Sequence, residues 1–161
     1  MQCRERLESY LRQQQVAFDV QQHNTAFTAQ EVAQSEHIPG KLVAKSVVVW
    51  ADGQLIMLVL PATSRVEFAG LNEAIGTRMT RLAHEEEFTN AFPDCEVGAM
   101  PPFGNLYDIP VYVDKSLTED ETIVFPAGVH TESMSLRYAD FARLVEPTIA
   151  EFAVPRATAA R

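Results

Sequence analysis

Two apolar runs separated by an aspartate and a glycine constrain this chain more than any other feature. Lys45-Ser46-Val47-Val48-Val49-Trp50 leads into Ala51-Asp52-Gly53-Gln54 and then Leu55-Ile56-Met57-Leu58-Val59-Leu60. Asp-Gly between two such runs favours a type I′ hairpin, because both central residues of that turn need positive φ. A two-residue turn also sets the register: Trp50 opposite Leu55, Val48 opposite Met57, Lys45 opposite Leu60. The first strand is apolar on both faces, with Val47 and Val49 on one and Val48 and Trp50 on the other. That pattern predicts a central strand covered above and below. Alternation puts Lys45 on the face of Val47 and Val49. Its ammonium either snorkels to water at the strand's start or serves as a functional cation in a low-dielectric niche. It stands where both strands end, beside Pro61-Ala62, and strand ends bordered by loops commonly carry sites.

The remaining pattern predicts one α+β domain over residues 1–150, with a tail over 151–161 that frays. A chain of 161 residues, 47% of them hydrophobic, is long enough for a real core. Helices are predicted over 4–15, with Leu7, Tyr10 and Leu11 on one face, and from a capping box at Thr28-Ala29-Gln30-Glu31 through Ala29, Val32 and Ala33 to just before Pro39-Gly40. A second capping box, Ser64-Arg65-Val66-Glu67, predicts a helix that ends near Gly76. Glu85, Glu86 and Glu87 load the first turn of another that runs from His84 to Phe92, and residues 138–145 form the last. Strands are expected over 16–20, 78–82, 109–114, 121–125 and 133–137.

The formal net charge of −9 excludes a general nucleic-acid coat, although a small local patch could still hold a nucleic acid. No apolar run approaches the ~20 residues of a membrane span, and the first residues lack the apolar stretch of a signal peptide. The expectation is a cytoplasmic protein with no membrane or DNA partner. Cys3 and Cys95 make no disulfide framework and fit a reducing compartment. His23, His37, His84 and His130 have no zinc-ligand spacing, so neither a metal nor another cofactor is expected.

Three stretches could carry chemistry. Gly98-Ala99-Met100-Pro101-Pro102-Phe103-Gly104 combines glycines that let backbone approach a ligand with prolines that freeze the chain. Its amides could serve a carbonyl or an oxyanion. The plainer reading is a rigid loop with Phe103 plugged into the core. Gly128-Val129-His130 follows a strand, where the imidazole could orient a hydroxyl or water; a surface turn is the alternative. Cys95 with His130 would make a thiol nucleophile and its base, against the simpler reading of Cys95 as a small buried hydrophobe.

A lysine opening an apolar strand, a Gly-x-x-x-Pro-Phe-Gly loop and a glycine-histidine segment occur here in that order. From about Leu7 to Leu144 the chain resembles the YbaK/prolyl-tRNA synthetase-associated family of aminoacyl-tRNA deacylases. The resemblance implies a curved, barrel-like mixed sheet surrounded by helices. It also implies hydrolysis, in trans, of the ester that joins a wrong amino acid to the 3′ end of a tRNA. Lys45 and His130 would be the catalytic residues, Lys45 holding the terminal nucleotide. The loop Gly98, Ala99, Met100, Pro101, Pro102, Phe103 and Gly104, together with Gly128, Ser46 and Phe27, would bind substrate. Val20, Phe27 and Gln30 fall where relatives build part of the pocket wall. The tRNA acceptor end is the implied partner, with an aminoacyl-tRNA synthetase as a further candidate. The family loop commonly reads Gly-Gly-x-Ser-Pro-Phe-Gly, whereas Ala99 and Pro101 stand here. That departure keeps open a rival reading: a binding module for an aminoacyl end, a nucleotide or a small amino-acid-like ligand that has lost turnover.

Overall fold

The computed structural model describes residues 2–23, 29–36 and 39–156. Helix α1 (Cys3–Gln13) buries Cys3, Leu7 and Leu11 along one stripe, and β1 (Asp19–Gln22) and α2 (Ala29–Glu36) follow. The hairpin β2 (Ala44–Ala51) and β3 (Gln54–Pro61) comes next, with Asp52 at φ 49° and Gly53 at φ 87°, both positive as its turn requires. Its pairing sets Trp50 opposite Leu55, Val48 opposite Met57 and Lys45 opposite Leu60, the register expected from the turn length. The chain continues through β4 (Ser64–Val66), α3 (Phe68–Ile75), β5 (Thr80–Leu82) and α4 (Glu85–Phe88). After the glycine–proline loop come β6 (Val111–Asp114), β7 (Thr122–Pro126), β8 (Glu132–Arg137), α5 (Tyr138–Val145), β9 (Thr148–Ala150) and β10 (Ala153–Pro155).

The result is an α+β fold on a mixed sheet. Five strands lie in the order β5-β2-β3-β6-β9, three antiparallel strands in the order β1-β8-β7, and β10 pairs with β4. A single parallel bridge, Val43 to Val124, joins the two larger sheets at the start of β2. One face carries the main core: Val48, Met57, Val59, Phe125 and Met134 pack with Leu7 and Leu11 of α1, with Phe141 of α5 and with Phe103. On the other face Val49, Leu58 and Leu60 pack under Leu71 of α3 and Phe152. There too, Val32 and Ala33 of α2 cover Val43 and Ala62. Burying a side chain of this size contributes about 1.5–3 kcal/mol, so β2 is held from both sides.

Several expectations give way to tertiary structure. Ser64–Val66 is a strand, because β10 pairs with it; the helix starts later, and Glu67 caps it by accepting from the Gly70 amide at 2.7 Å and the Ala69 amide at 3.2 Å. Gly76 does end that helix, at φ 72°. Residues 152–156 are not loose. Phe152 is buried, and its amide and that of Ala153 both donate to Asp114 Oδ1 at 2.9 Å. The first strand falls at 19–22 rather than 16–20, since its partner is β8. The capping residue Thr28 lies outside the described residues.

The cysteines also depart from expectation. The Cys3 amide donates to the Asp94 carbonyl at 3.0 Å, which docks the start of α1 on the segment before the loop. The Cα atoms of Cys3 and Cys95 come within 4.9 Å and the two are disulfide-bonded. Cys95 is therefore no free thiol, and the thiol-hydrolase option falls with it.

Candidate functional site

Backbone register brings the separate stretches toward one place. From the Val43–Val124 bridge β2 and β7 run on in the same direction, so Lys45 and Pro126 each lie two residues beyond it. Ser133 is the cross-strand partner of Pro126. Because side chains alternate, Lys45, Pro126 and Ser133 share the face away from the main core, the face that α2 partly covers.

The loop reaches the end of β7 through hydrogen bonds. The Gly128 amide donates to the Ala99 carbonyl at 2.8 Å, and the Glu96 amide to the Gly128 carbonyl at 2.9 Å. The His130 amide donates to Glu96 Oε1 at 2.7 Å, and His130 Nε2 lies 2.7 Å from the Val97 carbonyl. Gly98–Met100, Gly128 and His130 therefore form one unit. No hydrogen bond joins Lys45 to it among the described residues.

Within the loop the roles divide. The Ala99 amide is engaged by the Glu96 carbonyl at 3.0 Å, and Pro101 and Pro102 have no N–H to give. The Gly98 and Met100 amides have no acceptor among the described residues. Phe103 belongs to the core instead: fully buried, its ring centroid stands 5.7 Å from that of Phe125 and 5.5 Å from that of Phe141. A Cβ on Gly104 would meet the Ile109 carbonyl oxygen at 2.6 Å, and one on Gly128 would meet Cys3 Sγ at 2.7 Å. Packing constrains Phe103, Gly104 and Gly128 at the side chain or the Cβ position. All three are buried, and their close packing shapes and anchors the loop.

Lys45 is half-buried and forms no ion pair with a described carboxylate. Burial, and then the like charge of Arg156, hold its pKa below the ordinary lysine value. Ser46 points to the opposite, main-core face, opposite Val59, where its Oγ is buried without a hydrogen-bond partner among the described residues. Phe27 lies outside the described residues.

Two groups escaped the sequence reading. Ser133, fully buried, donates its hydroxyl to Glu36 of α2, and His23 Nε2 lies 3.7 Å from the same carboxylate. The C-terminal segment brings Arg156 to the Lys45 end of the hairpin, where its amide donates to the Thr63 carbonyl at 3.0 Å. Glu36 and Ser133 carry no spacing signal, since 97 residues separate them. Arg156 sat in an Ala/Thr/Arg-rich tail that offered none either.

A sequence model of the aminoacyl-tRNA editing domain matches residues 23–144, and the chain belongs to that family. Among curated relatives, the multifunctional Ser/Thr-tRNA deacylase ProXp-y of Escherichia coli (strain K12) is 27% identical over 153 residues, 92% of this chain and 91% of the relative. A solved structure of a hypothetical protein, APE2540, shares the fold with a TM-score of 0.83 at 17% identity, over 92% of this chain and 99% of its own. A candidate trans-editing enzyme for prolyl-tRNA synthetase does so with a TM-score of 0.82 at 18% identity, over 94% and 97%.

Proposed function

We propose that this protein is an aminoacyl-tRNA deacylase, working in trans, that hydrolyses the ester of mischarged tRNA. What supports the reading is a lysine with no ion pair to a described carboxylate at the start of β2, beside the end of β7 to which a loop with two amides unengaged among the described residues is hydrogen-bonded. An aminoacyl ester is already activated, so positioning and backbone donors supply much of what its hydrolysis needs. Water adds to the ester carbonyl and its oxygen becomes an oxyanion facing the Gly98 and Met100 amides. The tetrahedral centre then collapses, breaking the bond to the ribose oxygen, which takes a proton as amino acid and tRNA separate. Lys45 holds the anionic terminal nucleotide. His130 acts as a positioning residue: its contact with the Val97 carbonyl holds the turn from which Gly98 starts.

The amino acid removed carries a small hydroxylated side chain in this reading. The relative named as a Ser/Thr-tRNA deacylase supports that choice, as does the Ser133–Glu36–His23 cluster on the Lys45 face, since a polar wall favours a hydroxyl over a methyl group. An aminoacyl-tRNA synthetase is the protein partner that this chemistry calls for, because it makes the ester to be cleared.

The test is a panel of tRNAs charged with serine, threonine, alanine and cysteine, with release of amino acid followed for wild type and Lys45→Ala. Faster release of serine or threonine by wild type, lost in the variant, is the expected result. Equal rates in the two proteins remove Lys45 from the mechanism. Saturable binding with no turnover of any member favours the inactive binding module.

A further inference from the structure

We infer that Arg156, delivered by the C-terminal strap, is a second phosphate-positioning cation that works together with Lys45. The inference rests on reading the Lys45 face as the seat of an aminoacyl-tRNA end. It names a residue outside the segment matched by the family, which ends at 144.

The path to Arg156 is built rather than loose. Phe152 anchors the strap in the core, and β10 pairs residue by residue with β4: Ala153 with Val66, Val154 with Arg65, Pro155 with Ser64. The Arg156 amide then donates to the Thr63 carbonyl at 3.0 Å. Thr63 is itself pinned. Its methyl packs so closely on Gly40 that a Cβ there would lie 2.9 Å from it, and the neighbouring Ala62 amide donates to the Val43 carbonyl at 2.8 Å. Val43 and Thr63 thus bracket the end of the hairpin at which Lys45 stands opposite Leu60. Arg156 Nη1 reaches across to Gln30 Oε1 of α2 at 3.1 Å.

Gln30 is a neutral acceptor, so it orients the guanidinium without neutralising it. Neither Arg156 nor Lys45 makes an ion pair with a described carboxylate, although the chain carries 22 acidic residues and only 13 basic ones. Two like charges held together in so acidic a protein repel, and an anion placed between them removes the repulsion. Planar guanidinium suits a phosphodiester, which it can contact through two N–H groups, while the ammonium acts as a point charge. The ligand chemistry is the phosphodiester of a single-stranded RNA end.

Arg156→Gln and Arg156→Lys test this with two readouts. The first is deacylation kinetics: KM is expected to rise about five- to hundredfold in Arg156→Gln with kcat unchanged, and to recover in large part in Arg156→Lys. The second is binding of an uncharged acceptor-stem hairpin with a single-stranded 3′ CCA end, followed by fluorescence anisotropy from low to high salt. Loss of one contact to a single strand should flatten the salt slope by about 0.7. This binding readout does not depend on hydrolysis, so a flattened slope in a protein that hydrolyses nothing supports the inference while the deacylase reading fails. An unchanged KM and slope overturns it. So does absence of hairpin binding by wild type, or a fall in kcat and thermal stability with the slope unaltered.

Discussion

The two ends of β2 use their charges in opposite ways. At the Trp50 end the central charges, Glu87, Arg81 and Asp52, are engaged. Glu87 accepts from both Arg81 nitrogens at 2.8 Å, from Trp50 Nε1 at 2.5 Å and from the His84 amide at 2.7 Å. Asp52 accepts from the Arg78 amide at 3.1 Å and the Met79 amide at 2.9 Å. A cleft of about 440 Å³ opens there, lined by Trp50, Asp52, Gly53, Met79, Arg81 and Glu87, yet the polar side chains of Trp50, Asp52, Arg81 and Glu87 are already hydrogen-bonded. At the Lys45 end, among the described residues, a half-buried ammonium has no ion-pair partner, a guanidinium has only the neutral Gln30 Oε1 and two loop amides have no acceptor. Satisfied groups hold a hairpin in place; unsatisfied ones lose solvation without gaining a partner, so they persist where a ligand completes them. A cleft alone does not mark the site.

The largest effect should come from Lys45→Ala. Removing one preorganised charge from a site of this kind lowers kcat/KM by roughly 10²–10³, whereas Trp50→Phe at the far end should leave it unchanged. Equal losses in both would break the comparison. The pH dependence sharpens it. Lys45 carries its charge below its lowered pKa and loses it above, so KM should climb at a pH below the ordinary lysine value of 10.5. Lys45→Arg keeps the charge and should abolish that climb; identical KM profiles would separate Lys45 from substrate binding.

Next in size is the Cys3–Cys95 bridge, which closes a sequence separation of 92 residues behind the loop. Replacing both cysteines by serine should cost about 2–4 kcal/mol in urea unfolding. If stability is unchanged, the bridge does not anchor the loop.

At the Trp50 end, Glu87 titrates near 2, chiefly because Arg81 donates to it, with the His84 amide and Trp50 adding to the effect. A depressed folded-state pKa means stability that is present above the unfolded value of 4.5 and lost as pH falls toward about 2. Glu87→Gln should flatten that window in acid unfolding and leave deacylation alone; loss of activity would make this end part of the site. The smallest effect is Ser46→Ala. Deleting a buried hydroxyl without a partner should leave stability within about 1 kcal/mol or raise it. A larger loss would show that the hydroxyl is hydrogen-bonded after all.

What could be read beforehand was local. The register of β2 and β3 followed from Asp52-Gly53, since a two-residue turn leaves only one pairing. Gly76 at the end of α3 and α5 over 138–145 followed from capping and periodicity. For the site, the Lys45 and Gly98–His130 segments stood out by residue type, but Phe103 and Gly104 looked like contacts until packing assigned them to the core. The strand at Ser64–Val66 was misread because its partner, Ala153–Pro155, comes nearly ninety residues later and overrides a local capping signal.

By itself the sequence determined the central hairpin and the α+β class, because turn stereochemistry and apolar periodicity act between residues a few positions apart; the family came from its resemblance in the Lys45, Gly98–Gly104 and Gly128–His130 segments. Only the tertiary structure decided that Cys3 meets Cys95, that Ser133 meets Glu36 and that Arg156 is carried to Thr63 at the Lys45 end of the hairpin. Those contacts depend on how sheets and helices pack across the whole chain, and packing joins residues without regard to their separation along it.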